Sequence, residues 1–363
     1  MNENIWITIF QFSIALGVLL FLHEFGHFLI ARLFKIEVDE FGFGFPPRLL
    51  RLFKLGGTEF TLNLIPFGAF VRPKGENDPK VSGGLAAANP WVRLSVLFGG
   101  PLMNILAGVA LFAVVVARIG APDLSTVQIV EVAPQSPAAT VGLLSGDIVM
   151  AINGEKITNM QDLSAAVQAN LNKEITLTYE RDGKTAQATV VPRENPPEGE
   201  GALGIVMSNP YRPISFAQAV PYGFLLVYEQ VNQLAQVPSM LIQGSLSAQE
   251  ARPIGPKGMF DIYEQARARD QEAEATPASP TTPPAVNTLW FLAVISVAMG
   301  ITNLLPIPAL DGGRILFVLP EILLGRRVAP EHENMVHFIG FAALLLLMFY
   351  ITAQDIVNPI VLP

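Results

Sequence analysis

Four long apolar segments alternate with polar ones along the chain. Each lacks Asp, Glu, Lys and Arg for 18 to 25 residues, and together they cover residues 5–22, 94–117, 286–310 and 334–354. An apolar helix of about 20 residues spans the hydrocarbon core of a bilayer. The pattern predicts a polytopic α-helical membrane protein with four transmembrane helices. The first segment lacks a basic flank and a small-residue cleavage site, so we expect a retained helix rather than a signal peptide.

A fifth apolar stretch, residues 214–243, is ambiguous. It carries Glu229 and is interrupted by Pro221 and Pro238. These residues favour an amphipathic helix on the outer membrane surface over a fifth span. A fifth span would also reverse the direction in which residues 286–310 cross the membrane.

Basic residues predict the orientation of the four helices. Cytoplasmic loops of membrane proteins carry an excess of Lys and Arg, so residues 31–93 and 311–333 are expected in the cytoplasm. Both termini and the segment 119–285 then lie on the extracytoplasmic side of a bacterial plasma membrane. The basic residues behind this prediction are Arg32, Lys35, Arg48, Arg51, Lys54, Arg93, Arg314, Arg326 and Arg327.

The composition narrows the function classes. Only 15% of the 363 residues are charged and 51% are hydrophobic, which is unlike a soluble cytosolic enzyme. The net charge of −8 gives no basic surface for nucleic acid, so we expect a lipid bilayer and membrane proteins as partners. Because the chain has no cysteine, a metal site would have to use His, Asp or Glu side chains.

A more polar insert, residues 125–207, has short strand and helix patterns and predicts a compact α+β domain. Its sequences SPAA (136–139) and GLLSGDIVMAING (142–154) resemble a bacterial PDZ domain. In that family a peptide adds as a strand beside a sheet edge and a helix. Gly204 then lies in a loop that could hold a peptide carboxylate, or it simply precedes the last strand.

The motif that carries chemistry is HEFGH at the end of the first apolar segment. On a helix, His23 and His27 lie one turn apart and can reach one Zn²⁺ ion. Glu24 lies near the metal and is better placed to accept a proton from a water molecule than to bind the ion. Ionisable groups within a span are costly and usually functional, so the motif predicts a metal site.

A third ligand has several candidates. They are Asp311, His332, His337 and the glutamates of the first cytoplasmic loop. With four spans, Asp311 reaches the same membrane depth as His23, which favours Asp311. The alternative for Asp311 is a turn that only closes the third helix.

These features together resemble the bacterial site-2 intramembrane metalloproteases, especially the regulator-of-sigma-E protease branch. The resemblance covers almost the whole chain, PDZ-like insert included. Its motifs are HEFGH (23–27), GGPLMN ending at Asn104, PIGPKG (253–258) and NLLPIPALDGG (303–313).

The resemblance implies functions for individual residues. Zinc would be bound by His23, His27 and Asp311, and Glu24 would be the catalytic acid and base. Asn104 and Asn303 would hold substrate or shape the site, unless they only form hydrogen bonds between helices. The implied substrates are transmembrane segments of single-pass proteins, such as anti-sigma factors or remnant signal peptides.

The predicted organisation places a membrane-associated β region at residues 36–73. In the resembling family this region would pair with an extended substrate, although a purely structural sheet is equally compatible with the pattern. The predicted parts are an N-terminal membrane part (1–124), a PDZ domain (125–207), a surface helix with a GPxG segment (208–258), a flexible acidic and Pro-rich linker (259–285) and a C-terminal membrane part (286–363).

Two other function classes make different predictions. A membrane scaffold with an inactive metal site should have a damaged motif, but both histidines, Glu24 and Asp311 are present. A secondary transporter with a helix broken at Pro306 and Pro308 should have internal repeats, and the apolar segments have none. The sequence therefore favours the protease.

Overall fold

The structure is a computed structural model that describes residues 5–247, 251–275 and 284–359. It consists of two compact units, Met1–Arg118 with Phe216–Pro363, and Ile119–Ser215. The elements in chain order are α1 (Ile5–Leu33), β1 (Val38–Leu55), β2 (Thr58–Pro73), α2 (Pro90–Ile119), β3 (Ala121–Pro122), β4 (Val127–Val132), α3 (Pro137–Thr140), β5 (Ile148–Ile152), β6 (Glu155–Lys156), α4 (Met160–Gln168), β7 (Ile175–Arg181), β8 (Lys184–Val190), β9 (Ile205–Ser208), β10 (Tyr211–Arg212), α5 (Phe216–Gln243), α6 (Pro256–Ala275), α7 (Asn287–Leu304), α8 (Asp311–Leu324) and α9 (Pro330–Val357).

Four helices of the first unit are long and apolar enough to cross a membrane, namely α1, α2, α7 and α9. This confirms the number of apolar helices predicted from the sequence. Helix α7 ends at Leu304, before Pro306 and Pro308, because proline lacks an N–H group and disfavours continuation of a helix. A further helix, α8, then begins at Asp311, which the apolar pattern did not predict.

Helices α1 and α2 contact each other closely through glycines. A Cβ atom built on Gly26 of α1 would lie 2.1 Å from the carbonyl oxygen of Gly99 in α2. Small residues let two membrane helices approach backbone to backbone. The close contact places the HEFGH turn directly against the GGPLMN segment.

The predicted β region forms a bent hairpin of two long strands. Residues 40–43 of β1 pair with residues 59–62 on one side and with residues 69–72 on the other. The bends at Gly44 and Gly68 have φ values of +77° and +90°, which glycine adopts without strain. Because each strand folds back in this way, residues 69–72 form an edge of the sheet within the described residues.

A buried carboxylate holds the hairpin segments together. Glu40 accepts a hydrogen bond from Thr61 at 2.8 Å and pairs with Arg48 at 2.7 Å and Arg72 at 3.0 Å. Burial raises the pKa of Glu40, but the Thr61 and arginine contacts lower it more, so the net pKa is below the usual value. Glu40 is therefore a charged residue that joins three strand segments.

Helix α6 corrects the prediction of a flexible linker at residues 259–285. Its residues Ile262, Tyr263 and Ala266 are buried and pack against α1 and α7. The acidic composition indicated a linker, whereas these apolar residues at helical spacing give α6 a buried face. Residues 276–283 of the predicted linker lie outside the described residues.

Helix α5 confirms a helix within residues 214–243, and it is not among the four candidate spans. Its residue Val227 packs with Val109 of α2 and with Ala293 and Val297 of α7. The helix therefore lies against two apolar helices through one face. Its position on the outer membrane surface stays a prediction.

The second unit contains an antiparallel sheet of order β8-β7-β5-β4-β9, with β6 beside β5. Its core includes Leu163 and Val167 of α4, which pack against the sheet. The buried Asp147 accepts two hydrogen bonds of 2.6 Å from Arg181, one from Nε and one from Nη2. The predicted strands and helices of residues 125–207 thus form a small α+β unit.

Candidate active site

Three side chains from two helices converge at one point. Nε2 of His23 lies 3.1 Å from Oδ2 of Asp311, and Nε2 of His27 lies 3.3 Å from the same oxygen. The two Nε2 atoms are 3.3 Å apart. The histidines are four residues apart on α1, so the helical turn aligns them. Asp311 begins α8, and the fold brings it there across 288 residues of sequence.

Two side-chain contacts orient the histidine rings. His27 Nδ1 lies 2.8 Å from the carbonyl oxygen of Val96, which can only accept a hydrogen bond. This hydrogen bond requires a proton on Nδ1, so in the neutral ring Nε2 is the nitrogen that can bind a metal ion. His23 Nδ1 lies 3.4 Å from Nδ2 of Asn104, and Asn104 is fully buried.

The donor set fits a zinc ion. Two ligands bound to one tetrahedral zinc ion at about 2.0–2.1 Å lie about 3.3 Å apart. The three separations between His23, His27 and Asp311 are 3.1 to 3.3 Å. Two imidazoles and one carboxylate suit zinc, and three protein ligands leave a fourth position open, as in catalytic zinc sites.

Gly100 of α2 gives the histidines their space. A Cβ atom on Gly100 would lie 2.3 Å from His27 Nε2 and 2.8 Å from His23 Nε2. No other residue type would leave room for both rings at this point. From the sequence, Gly100 was noted only as part of the GGPLMN motif. Its role could not be predicted because the contact with α1 forms only in the tertiary structure.

Glu24 lies beside the three convergent side chains and faces the hairpin. Its Oε2 accepts a hydrogen bond of 3.0 Å from the backbone N–H of Val71. Val71 belongs to the edge segment of β2, so its N–H points out of the sheet towards α1. Glu24, Val71 and the three convergent side chains line one cavity of about 280 Å³.

The LDGG segment is held by close backbone packing. A Cβ atom on Gly312 would lie 2.2 Å from Leu305 O, and one on Gly313 would lie 2.3 Å from Ile307 O. The N–H of Ala309 donates to Nδ1 of His337 at 2.8 Å. His337 therefore supports the segment that precedes Asp311. Among the described residues, the cluster able to hold a metal contains neither His337 nor His332.

Arg314 is a cavity residue for which the sequence gave no functional signal. It lies one turn after Asp311 on α8 and forms an ion pair with Glu76, which follows β2. Both residues line the cavity. The pair connects α8 to the segment that follows the hairpin edge.

The remaining predicted site residues have different positions. Asn303 lines the cavity, and its Nδ2 donates to Met299 O of its own helix at 3.0 Å. Asn104 lies behind His23 and is fully buried, so its position fits shaping the site and does not fit contact with substrate. Gly204 belongs to the second unit, where its N–H donates to Gly201 O at 3.0 Å.

The apolar helices and the His-His-carboxylate cluster define a membrane-embedded metalloenzyme. The chain matches Peptidase family M50 over residues 11–347, and it belongs to that family. It is a zinc metalloprotease, and its cofactor is Zn²⁺. The enzyme class is therefore the one that the motifs predicted, rather than a transporter or a scaffold.

Several named relatives are similar along their whole length. The regulator of sigma-W protease RasP of Bacillus subtilis is 28% identical, with 96% of this chain and 98% of RasP covered. The probable protease eep of Enterococcus faecalis is 29% identical, and a putative zinc metalloprotease of Clostridium perfringens is 30% identical, each over 96% of this chain and 98% of the relative. All three names describe proteases, and one of them describes a zinc metalloprotease.

Solved structures resemble only a small part of the chain. The PDZ domain of an SdrC-like protein from Listeria monocytogenes is 23% identical, covers 23% of this chain and 87% of that domain, and has a TM-score of 0.21. A solution structure from Geobacillus thermodenitrificans is 28% identical, covers 20% of this chain and 85% of that protein, and has a TM-score of 0.19. With such low scores, the PDZ identity of residues 125–207 stays a prediction.

Proposed function

We propose that the protein is an intramembrane zinc endopeptidase that cuts the transmembrane segment of single-pass membrane proteins. The observation that carries this proposal is the convergence of His23, His27 and Asp311 on one point, with Glu24 beside them. The histidines lie on a helix apolar enough to cross a membrane. The site therefore suits a peptide bond that is itself within the bilayer.

The ligands would be Nε2 of His23, Nε2 of His27 and the carboxylate of Asp311. Bound zinc polarises the scissile carbonyl group and lowers the pKa of water. The carboxylate of Glu24 accepts a proton from the attacking water and delivers it to the leaving amide nitrogen. Glu24 carries out this transfer at the cavity that it shares with the hairpin edge.

The hairpin edge gives the substrate a place to unwind. In a transmembrane helix every amide is engaged in a bond within the helix, so the scissile bond must leave the helix before attack. Residues 69–72 form a sheet edge next to Glu24, and such an edge binds an extended peptide through backbone hydrogen bonds. We propose that the substrate pairs there. The Val71 N–H, which now binds Glu24, is one donor for that pairing.

The orientation follows from the basic loops. We propose a bacterial plasma-membrane protein with both termini and residues 125–207 on the extracytoplasmic side and the active site near the cytoplasmic side. The contact between Asp311 and His23 supports this four-span arrangement, because a fifth span would place them on opposite faces of the membrane.

The substrate class is proposed to be anti-sigma factors or remnant signal peptides. The name of the Bacillus subtilis relative, a regulator of sigma-W protease, supports the first of these. Such proteins have a single transmembrane helix and little mass outside the membrane after trimming. We therefore also propose that the protein selects substrates by the size of their extracytoplasmic part.

We propose that the second unit is this filter, or a PDZ domain that binds a newly cut terminus. A cavity of about 120 Å³ lies between α4 and the edge strand β9, which suits strand addition. The N–H of Gly204 is already engaged with Gly201, and a Cβ atom on Gly204 would lie 2.3 Å from Ser136 Cβ. A structural role accounts for Gly204, and the groove beside β9 is the better candidate for a peptide.

The test of the proposed function is the position of the cut. The purified protein in detergent should cleave a single-span test protein within its apolar segment, and mass spectrometry of both products locates the bond. A chelator should stop the reaction and added zinc should restore it. Cleavage confined to the polar flanks of the test protein would contradict intramembrane proteolysis.

Asn104→Ala should weaken zinc binding by about 10- to 100-fold, as the loss of a group that orients a ligand does. When His23 binds zinc through Nε2, its Nδ1 carries the proton and needs an acceptor. Oδ1 of Asn104 is buried without a partner among the described residues, and rotation of the amide places it at His23 Nδ1. Zinc titration of the chelator-treated protein measures the effect.

The matched control for this prediction is Asn104→Asp, which keeps an acceptor oxygen at the same position. It should bind zinc more tightly than Asn104→Ala does. Equal zinc affinity of Asn104→Ala and the wild type would show that His23 needs no support from α2.

A further inference from the structure

One face of α1 is apolar and largely exposed. Trp6 is 71% exposed, Phe10 66%, and Ile14 and Val18 50% each. Gly17 lies among them, and a Cβ atom built on it would have no atom within 4 Å. The side chains therefore flank a depression along the helix at Gly17.

The hairpin closes this depression into a groove of about 570 Å³, which we call the α1 groove. Phe43, Gly44, Leu62 and Gly68 of the hairpin form its second wall. The ring of Phe21 stacks on Phe43 at a centroid distance of 5.6 Å and joins the two walls. The groove is lined almost entirely by apolar groups, as a site for a transmembrane helix must be.

Glu24 belongs to the face of α1 that lines the groove. Gly17 and Glu24 are seven residues apart, which offsets them by only about 20° around the helix axis. The same face of α1 carries a series of residues at alternating spacings of four and three, namely Phe10, Ile14, Gly17, Phe21 and Glu24. A helix lying in the α1 groove would therefore be directed along α1 towards the carboxylate.

A second apolar cavity, of about 630 Å³, lies between α1 and α2. It is lined from α1 by Ala15, Val18, Leu19 and Leu22, which are rotated by about 120° or more from Glu24. Of these, Val18 also lines the α1 groove. It has a similar volume and similar lining to the α1 groove but lies on the side of α1 that faces away from Glu24. We call it the α1–α2 cavity, and it is a natural internal control.

The inner end of the groove leads into the hairpin edge. Gly68 lines the groove, and the edge segment begins at the next residue, Ala69. Two residues further on, the N–H of Val71 binds Glu24. A chain that leaves the groove at Gly68 could thus pass from helix to extended strand within a few residues of the proposed cleavage site.

We propose that the α1 groove binds the transmembrane helix of the substrate before its inner end unwinds along the hairpin edge. This inference rests on the proposed function and names the surface through which that function selects its substrate. A single apolar helix fits because the groove follows the face of α1 on which Glu24 also lies. Bulk lipid would fill both apolar cavities alike, so the test compares them.

The first test fills each cavity with one side chain. Gly17→Leu projects into the α1 groove, where nothing obstructs its Cβ, and it should lower cleavage of a single-span test protein by about tenfold or more. Ala110→Leu fills the α1–α2 cavity and should leave cleavage within about twofold of wild type. Equal losses in the two variants, or no loss for Gly17→Leu, would overturn the proposal. Bound zinc is measured in each variant to show that the metal site is intact.

A second test does not depend on turnover. Since the chain has no cysteine, single cysteines at Ile14 and at Ala110 can be introduced into Glu24→Gln protein without background. A test protein with a cysteine in its apolar segment should form a disulfide with the Ile14 position and not with the Ala110 position. Cross-linking only at Ala110, or at neither position, would exclude the α1 groove as the binding site.

Failure of the proposed function and failure of the groove assignment give different experimental results. If the wild-type protein does not cut within any apolar segment, the proposed function is wrong, whatever the cross-linking shows. If the wild type cuts and the cross-link at the Ile14 position is absent, only the groove assignment is wrong.

Discussion

Glu24→Gln should lower the cleavage rate of a single-span test protein by about a thousandfold while the protein keeps its zinc. The amide of glutamine cannot accept the proton of the attacking water at neutral pH. Glutamine still offers an oxygen to the N–H of Val71, so the contact with the hairpin edge is preserved. The variant therefore isolates proton transfer from folding and from metal binding.

The measurement compares zinc content by mass spectrometry with cleavage in detergent for the same preparations. Glu37→Gln is the matched control, because Glu37 is an exposed glutamate paired with Lys74 outside the cavity. It should cleave at the wild-type rate. Glu24→Gln protein that cleaves at more than about one tenth of that rate would show that Glu24 is not the proton carrier.

Asp311→Ala should weaken zinc binding by at least about a hundredfold and abolish cleavage. Loss of a residue that only orients a ligand weakens metal binding by about 10- to 100-fold, and loss of a ligand itself should cost at least as much. Asp311 supplies the only negative charge among the three convergent side chains. Its removal leaves two neutral imidazoles, and a charged ion in a membrane-embedded cavity then lacks a neutralising partner.

His337→Ala is the control for the choice of third ligand. His337 accepts the N–H of Ala309 and is not part of the cluster, so this variant should keep its zinc. Both variants are first checked for a native elution volume and circular dichroism spectrum. Zinc retained by Asp311→Ala and lost by His337→Ala would assign the third ligand to His337.

The hydrophobic pattern predicted the four apolar helices because the requirement is local. A run of apolar residues long enough to span a bilayer can be recognised from that segment alone, without knowledge of the rest of the chain. The HEFGH motif was equally visible, since the helical period alone puts His23 and His27 one turn apart. The strands of the hairpin region were also predicted, although they extend further than the alternation indicated.

The same local reasoning was wrong about residues 259–275. The segment was predicted to be a flexible linker because most of its residues are charged or polar and only a few are apolar. Those few apolar residues are buried by α1 and α7, and the local sequence contains no information about that contact. Helix α8 was missed for a related reason. Pro306 and Pro308 ended one helix visibly, but the start of the next at Asp311 depends on packing of Gly312 and Gly313 against the preceding backbone.

Sequence by itself determined the class of this protein, because chain-wide hydropathy and a four-residue spacing of histidines are properties of short segments. Only the tertiary structure decided that Asp311 meets the histidines, that Asn104 lies behind His23, and that the hairpin edge lies beside Glu24. These contacts join residues tens to hundreds of positions apart. They depend on how closely glycines allow the helices to approach, and no local periodicity encodes that distance.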